Sequence, residues 1–416
     1  MKYGDIEVPL FENKKESIKF YLLLFFVISL RLSIYYYDYL EFASKPFVYE
    51  EAVVSTSVPK NGFKLLKLDT LNGLQLYGRY FGDMKLNGYR VWVKIYIPQN
   101  LNFFKYMRVF FTNIEIVSYE KSSSIQDILS QAVAKEHTNL HISSLYQAIY
   151  LAIPPNKYIR DRVSLLGISH LVALSGFHIG MLWAVVFFVL KAVYTPLQQR
   201  YYPFRYDLLD IGIVTLILLG VFTYVVGSPP SLMRSYIMML IGWSLLLMGI
   251  KLVSFELLFI VMMLLITFEP RMFFSISFWF SVAGVFYIFV VFRYFVGVSN
   301  IKIAIVLPFS TYIFMMPIVH MIFGTLSAFQ LLSPILSIVF IIFYPLSLFL
   351  HFIGYGYIFD DILIKLLDMP TSSSEIYTDK LFFIWYMIIS ILSIWYKVAF
   401  VLLILSSIVF CLWIYI

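Results

Sequence analysis

Phe20-Tyr-Leu-Leu-Leu-Phe-Phe-Val-Ile-Ser-Leu-Arg-Leu-Ser-Ile-Tyr-Tyr-Tyr37 is the first long apolar run of the chain, and Lys14, Lys15 and Lys19 precede it. About 20 such residues, wound as a helix, cross roughly 30 Å of hydrocarbon. The run is longer than the apolar region of a signal peptide and shows no small-residue cleavage site, so it reads as a retained membrane helix. The lysines ahead of it place the N-terminus in the cytoplasm and the residues that follow it outside.

Outward from this run, apolar stretches of the same kind recur at about 165–193, 208–226, 232–249, 252–268, 273–292, 303–323, 332–353, 381–395 and 398–416. With the first, they predict an α-helical polytopic membrane protein of about ten transmembrane helices. The composition, 61% hydrophobic and 13% charged, excludes an ordinary soluble domain and makes lipid the solvent. Cys411 is the only cysteine and lies in the last run, which excludes an intramolecular disulfide and a thiolate metal site. The net charge of +7 suits an anionic partner, but basic loops also set orientation. Lys191, Arg200, Arg205, Lys251, Arg293 and Lys302 mark basic loops that alternate with those at Pro229-Pro230 and Glu269-Pro270. This pattern puts the basic loops in the cytoplasm and agrees with an external position for the residues that follow the first helix.

Between about 47 and 120 the helical signal gives way to five short β-type runs, at 49–58, 64–71, 74–80, 89–97 and 109–118, with turn signals at Asn72-Gly73 and Asn87-Gly88. Five such strands fit a small closed barrel of the oligonucleotide/oligosaccharide-binding (OB) kind, and spacing alone leaves a sandwich open. Along the fourth strand Val91, Val93, Ile95 and Ile97 share one face, while Arg90, Trp92, Lys94 and Tyr96 share the other. Cations and rings on one face suit phosphates and stacked bases, although the same mixture also serves as a plain solvated face. Residues 124–153 read as an amphipathic helix ended by Pro154-Pro155, and 358–369 as a second one with Asp360, Asp361, Lys365 and Asp368 on its polar face. The expected division is therefore an N-terminal membrane helix (1–40), a β-domain (45–122), an amphipathic connector (123–163) and a multi-helix membrane domain (164–416).

The most informative run is Gly167-Ile-Ser-His-Leu-Val-Ala-Leu-Ser-Gly-Phe-His-Ile-Gly180. Read as one helix, it sets His170 and His178 two turns apart, with Ser175 between them. Polar groups of this density are costly in lipid and are expected to face a helix partner or a water-filled path. Gly176 and Gly180 form a small-xxx-small pair that allows close backbone approach, and for them plain packing is the favoured reading. Two imidazoles are too few for a zinc site, and no orienting acid accompanies a Ser175–His178 nucleophile pair. Arg160, Arg162, Arg234 and Arg271 stand near the ends of predicted membrane segments, where they suit either a basic mouth for phosphate or simple snorkelling. Arg31 and Glu256 lie within predicted segments and suit buried polar contacts.

The run from His170 to Gly180 resembles the signature of the ComEC family of competence proteins, membrane channels that pass single-stranded DNA during natural transformation. Gly227-Ser-Pro-Pro-Ser-Leu-Met-Arg-Ser235 resembles the family's Pro-Ser-x-x-Arg segment, and Glu269-Pro270 with Ser275, Ser277, Phe278 and Ser281 resembles its acidic-Pro segment and Ser-Phe helix. The resemblance implies that His170, Ser175, Gly176, His178, Gly180, Arg234 and Ser277 belong to the DNA path. It also implies single-stranded DNA, membrane lipid, a periplasmic DNA receptor and cytoplasmic DNA-processing proteins as partners, and leaves a homo-oligomer open. Two positions depart from the family pattern: Ser337, after Ser333-Pro334, stands where an asparagine is usual, and Phe104-Lys-Tyr-Met-Arg108 replaces a Pro-Gly-Asp turn. No His-x-His-x-Asp-His run is present, so the metallo-β-lactamase-like domain of many members is not expected here, and strand degradation is expected of another protein. Neither cofactor, metal nor catalytic constellation is expected, and no P-loop supplies ATP. Two other classes stay in play: an ion-coupled small-molecule transporter, for which no convincing inverted repeat is visible, and a lipid- or glycan-handling membrane enzyme, which His170 and His178 leave open.

Overall fold

A computed structural model describes residues 13–415 apart from 61, 83–85, 87, 122–124, 251–252 and 370–371. Asn87 of the second predicted turn, Lys251 of a predicted basic loop and the terminal Ile416 therefore lie outside the described residues. The chain forms two compact units, one through 125–258 and 280–415 and the other through 13–121 and 259–279.

In the second unit the first apolar run is a single helix, α1 (Lys14–Ala43), that Ser44-Lys45-Pro46 brings to an end. The five predicted strands all form: β1 (Phe47–Lys60), β2 (Phe63–Thr70), β3 (Gln75–Tyr80), β4 (Tyr89–Tyr96) and β5 (Phe110–Lys121), with a short helix α2 (Phe103–Met107) before β5. They close into a barrel in the order β1-β2-β3-β5-β4, antiparallel at every seam except the parallel β3/β5 pair. This decides for an OB-like barrel over a sandwich. Alternation builds its core: Ala52, Val54, Leu66, Leu68, Leu76, Val91, Val93 and Ile95 are wholly buried, each large one contributing about 1.5–3 kcal/mol. Gly73, at φ +74°, adopts the left-handed conformation that the Asn72-Gly73 turn needs. Phe42, from the last turn of α1, joins the barrel core beside Tyr106, and the Tyr39 hydroxyl donates to the Leu101 carbonyl at 3.1 Å. Farther along α1, Arg31 donates to the Phe268 carbonyl at 3.0 Å and the Tyr35 hydroxyl to the Glu269 carboxylate at 3.0 Å. Arg31 thus has a polar partner within the apolar run, although it is only partly buried.

The other unit is helical: α3 (Ile125–Lys135), α4 (Leu140–Leu151), α5 (Lys157–Leu165), α6 (Ser169–Val172), α7 (Gly176–Tyr201), α8 (Asp207–Val225), α9 (Pro230–Leu247), α10 (Phe255–Phe268), α11 (Ile276–Tyr294), α12 (Asn300–Ile322), α13 (Ser333–Phe352), α14 (Asp360–Leu367), α15 (Lys380–Leu392) and α16 (Lys397–Tyr415). The last part of α10 and the first turn of α11 fall in the barrel unit. Among the described residues eight helices are long and apolar enough to cross a membrane: α1, α7, α8, α9, α11, α12, α13 and α16. The apolar helices α10 and α15 have 14 and 13 residues. At about 1.5 Å per residue they fall short of the bilayer core, so they do not add to the eight on length alone.

Two sequence expectations need correction. The amphipathic stretch at 124–153 is two helices: the first ends at Lys135, and Asn139 caps the second by accepting from His141 N–H at 2.8 Å. The apolar stretch at 165–193 is not one segment: α6 is a single turn, Ala173–Ser175 is extended, and the long helix starts at Gly176 and continues to Tyr201.

Candidate functional site

Three separated runs meet in the helical unit around the Gly167–Gly180 segment. Ser175 caps α7: its hydroxyl accepts from the His178 N–H while His178 Nδ1 accepts from the Ser175 N–H at 3.3 Å, which makes His178 the reciprocal partner of a capping box. That role explains why Ser175 and His178 are adjacent, and it places His178 at the helix start rather than two turns below His170. His178 is wholly buried, with its ring edge-on to Tyr344 at 4.8 Å and Phe340 at 5.3 Å.

The second run approaches from α9. Ser231 Oγ donates to the Leu174 carbonyl at 2.8 Å, and a Cβ added to Gly176 would stand 2.7 Å from Ser235 Oγ. Gly176 is therefore a close contact point, where an added Cβ displaces the Ser235 hydroxyl and a large side chain meets α9. Gly180 is not its counterpart, since a Cβ there meets nothing within 4 Å. Arg234, next to Ser235, is buried on α9. The third run leads into α13: Ser333 Oγ donates to the Gly167 carbonyl at 2.8 Å, Gln330 Nε2 donates to the Ser164 carbonyl at 3.3 Å, and His170 Nε2 lies 3.4 Å from Ser337 Oγ. Ser337 thus keeps a polar contact to the signature where it departs from the family's asparagine. Gln126 of α3 braces the arrangement by donating to the carbonyls of Leu151 at 2.6 Å and Val226 at 3.0 Å.

The residues grouped as a basic mouth are divided. Arg160 is exposed on α5, and Arg162 lies on the same helix with its guanidinium 5.4 Å from the Tyr158 ring centre. Arg271 belongs to the barrel unit, over the rings of Tyr35 at 5.1 Å and Tyr106 at 5.5 Å, and burial pushes the Tyr106 phenol above its ordinary value. Ser277 also lies in the barrel unit, 2.9 Å from Ser275 Oγ.

On the barrel, β4 alternates as expected, with Val91, Val93 and Ile95 in the core and Arg90, Trp92 and Tyr96 exposed. Register widens this face beyond the four predicted residues, because Phe47 stands opposite Tyr96 and Tyr49 opposite Lys94. The Lys94 ammonium sits 4.2 Å from the Phe47 ring centre, 5.1 Å from Tyr96 and 5.9 Å from Tyr49. The Tyr96 hydroxyl beside it holds Lys94 above its usual basicity. Two acids temper the charge: Glu51 pairs with Arg90 at 3.2 Å, and Glu115 accepts from the Tyr96 hydroxyl at 3.1 Å. Phe47 and Tyr49 escaped the sequence reading because only strand pairing shows that they share a face with β4.

Among the described residues no group of three or more His, Cys, Asp or Glu side chains is placed to hold a metal ion. No curated protein and no solved structure matches the chain. The family model for competence proteins matches residues 156–415, more than half of the chain. That stretch contains all three runs that meet at the start of α7, and with them the chain belongs to the competence protein family, of the ComEC type.

Proposed function

We propose that this protein is the conduit through which single-stranded transforming DNA crosses the bacterial inner membrane, in about ten spans if α10 and α15 insert with the eight long helices. The barrel stands in the periplasm and offers its Phe47, Tyr49, Trp92, Lys94 and Tyr96 face to the strand. The protein works without a cofactor and without catalysis of its own, taking DNA from a periplasmic receptor and passing it to cytoplasmic DNA-processing proteins.

One observation carries this reading beyond family membership. The start of α7, α9 and the lead into α13 bring His170, Ser175, Ser231, Ser333 and Ser337 to one place in the helical unit. Polar groups gathered at such cost mark a pathway or the joint that shapes one. Deleting the gene tests it: transformation is lost while DNA still reaches the periplasm, and a deletion strain that transforms normally overturns it. Reporters fused within residues 60–110 read as periplasmic and one near residue 200 as cytoplasmic, and the reverse pattern rejects the orientation.

A further inference from the structure

Away from the signature, the helical unit contains a buried string of polar groups. His137, in the turn after α3, has a side chain wholly out of solvent. Its Nδ1 lies 3.0 Å from each carboxylate oxygen of Asp360, the first residue of α14, and its Nε2 lies 3.0 Å from Nε2 of His351, near the end of α13. His351 Nδ1 in turn lies 2.7 Å from the Ser347 carbonyl oxygen. Tyr146 of α4 stacks on the His137 ring, with centroids 4.6 Å apart and planes 7° from parallel. Asp360 was expected on the solvated face of its helix and instead turns inward, because His137 gives it a partner there.

Counting hydrogens exposes a deficit. A neutral imidazole has one N–H and one lone pair. Carboxylate and carbonyl oxygens only accept, so with Asp360 ionised Nδ1 of His137 and Nδ1 of His351 each carry a hydrogen. Both Nε2 atoms then present lone pairs to each other at a hydrogen-bonding distance. One more proton between them removes the conflict.

We propose that His137 and His351 form a binding site for a single proton, held between their Nε2 atoms and balanced by the Asp360 carboxylate. The pair plus one proton is a cation and Asp360 an anion, so the group is neutral as a whole and tolerates burial. The proton fastens the turn after α3 to the end of α13 and the start of α14. The other titratable groups facing it are Glu136, which accepts from the Gly356 N–H at 2.6 Å, Tyr146 and Tyr150. Burial pushes both phenols above their ordinary value, so they stay protonated. This inference does not depend on the conduit reading.

The test uses the full chain in lipid nanodiscs, labelled with nitrogen-15 at histidine, and nuclear magnetic resonance at neutral pH. The wild-type protein should show nitrogen–nitrogen coupling across a hydrogen bond between two different histidine rings. That coupling should vanish in His137→Gln and in His351→Gln, and should survive in His141→Gln, whose ring contacts Asn156 instead. Asp360→Asn should weaken it by removing the balancing charge. The wild-type spectrum decides even if a variant fails to fold: two singly protonated rings without coupling overturn the proposal. One equivalent of a divalent transition metal in the purified protein also overturns it, because the facing lone pairs would then be metal ligands.

Discussion

The barrel and the helical unit obey opposite rules about what lies inside. In the barrel, apolar residues point inward: Val91, Val93 and Ile95 are wholly buried while Arg90 and Trp92 on the same strand face out. In the helical unit large apolar side chains face outward, with Phe352 at 89% and Leu381 at 78% exposure, whereas Thr215, Ser347, Ser393, Ser407 and His178 are buried. Water drives the first arrangement. In lipid that drive is missing, so small polar residues, which pack closely and bond across helices, take the interior. Hydropathy therefore locates the barrel core and, in the membrane helices, locates only the lipid.

The sharpest way to break this comparison is at the start of α7. Gly176→Leu should abolish transformation with the protein still inserted at normal levels, whereas Gly180→Leu, facing open space, should transform like the wild type. Equal behaviour of the two variants in a transformation assay would remove Gly176 from any special role.

The next largest contrast is thermodynamic. Leu66→Ala, in the barrel core, should cost about 2–5 kcal/mol, read as faster hydrogen exchange in the barrel strands. Ser407→Ala, which loses the 2.8 Å bond to the Tyr386 hydroxyl, should cost about 0.6–1.7 kcal/mol in the helices. A larger loss at Ser407 would mean that bundle polarity contributes more than packing does.

Smaller effects are expected on the barrel surface. Trp92→Ala should weaken single-stranded DNA binding by about 1–3 kcal/mol. Lys94→Ala should lower the salt slope of binding by about one. Both are read from titrations at several salt concentrations, and unchanged binding in the double variant would show that this face is not the platform. The smallest effect belongs to Arg90→Ala: its exposed pair with Glu51 is worth at most about 1 kcal/mol to stability in thermal unfolding.

How much could be read from sequence follows the same division. Strand alternation states which side of each barrel residue is buried, so the five strands and the two faces of β4 were legible. The broken start of α7 was not, because apolar residues resume at once on either side of Ser175-Gly176, from Leu171 to Val189. The available clue was Ser175 with His178 three residues on, a capping box with histidine in place of the usual Glu or Gln. The meeting of Gly176 with Ser235 and of His137 with Asp360 and His351 involves residues far apart in the chain, where no local pattern reaches. The two-helix form of 125–151 was signalled by Asn139, a good cap inside a stretch whose apolar spacing suggested one helix.

The way the barrel closes also bears on how the protein is made. Its last strand, β5, is hydrogen-bonded to both β3 and β4, so no closed barrel exists until residue 121 has joined it. By then α1 has long since left the ribosome, yet its residue Phe42 belongs to the barrel interior. Closure therefore ties a knot at the very end of the first membrane helix. A folded barrel is too wide and too polar to be drawn into lipid, so once closed it holds α1 in whichever direction it was inserted.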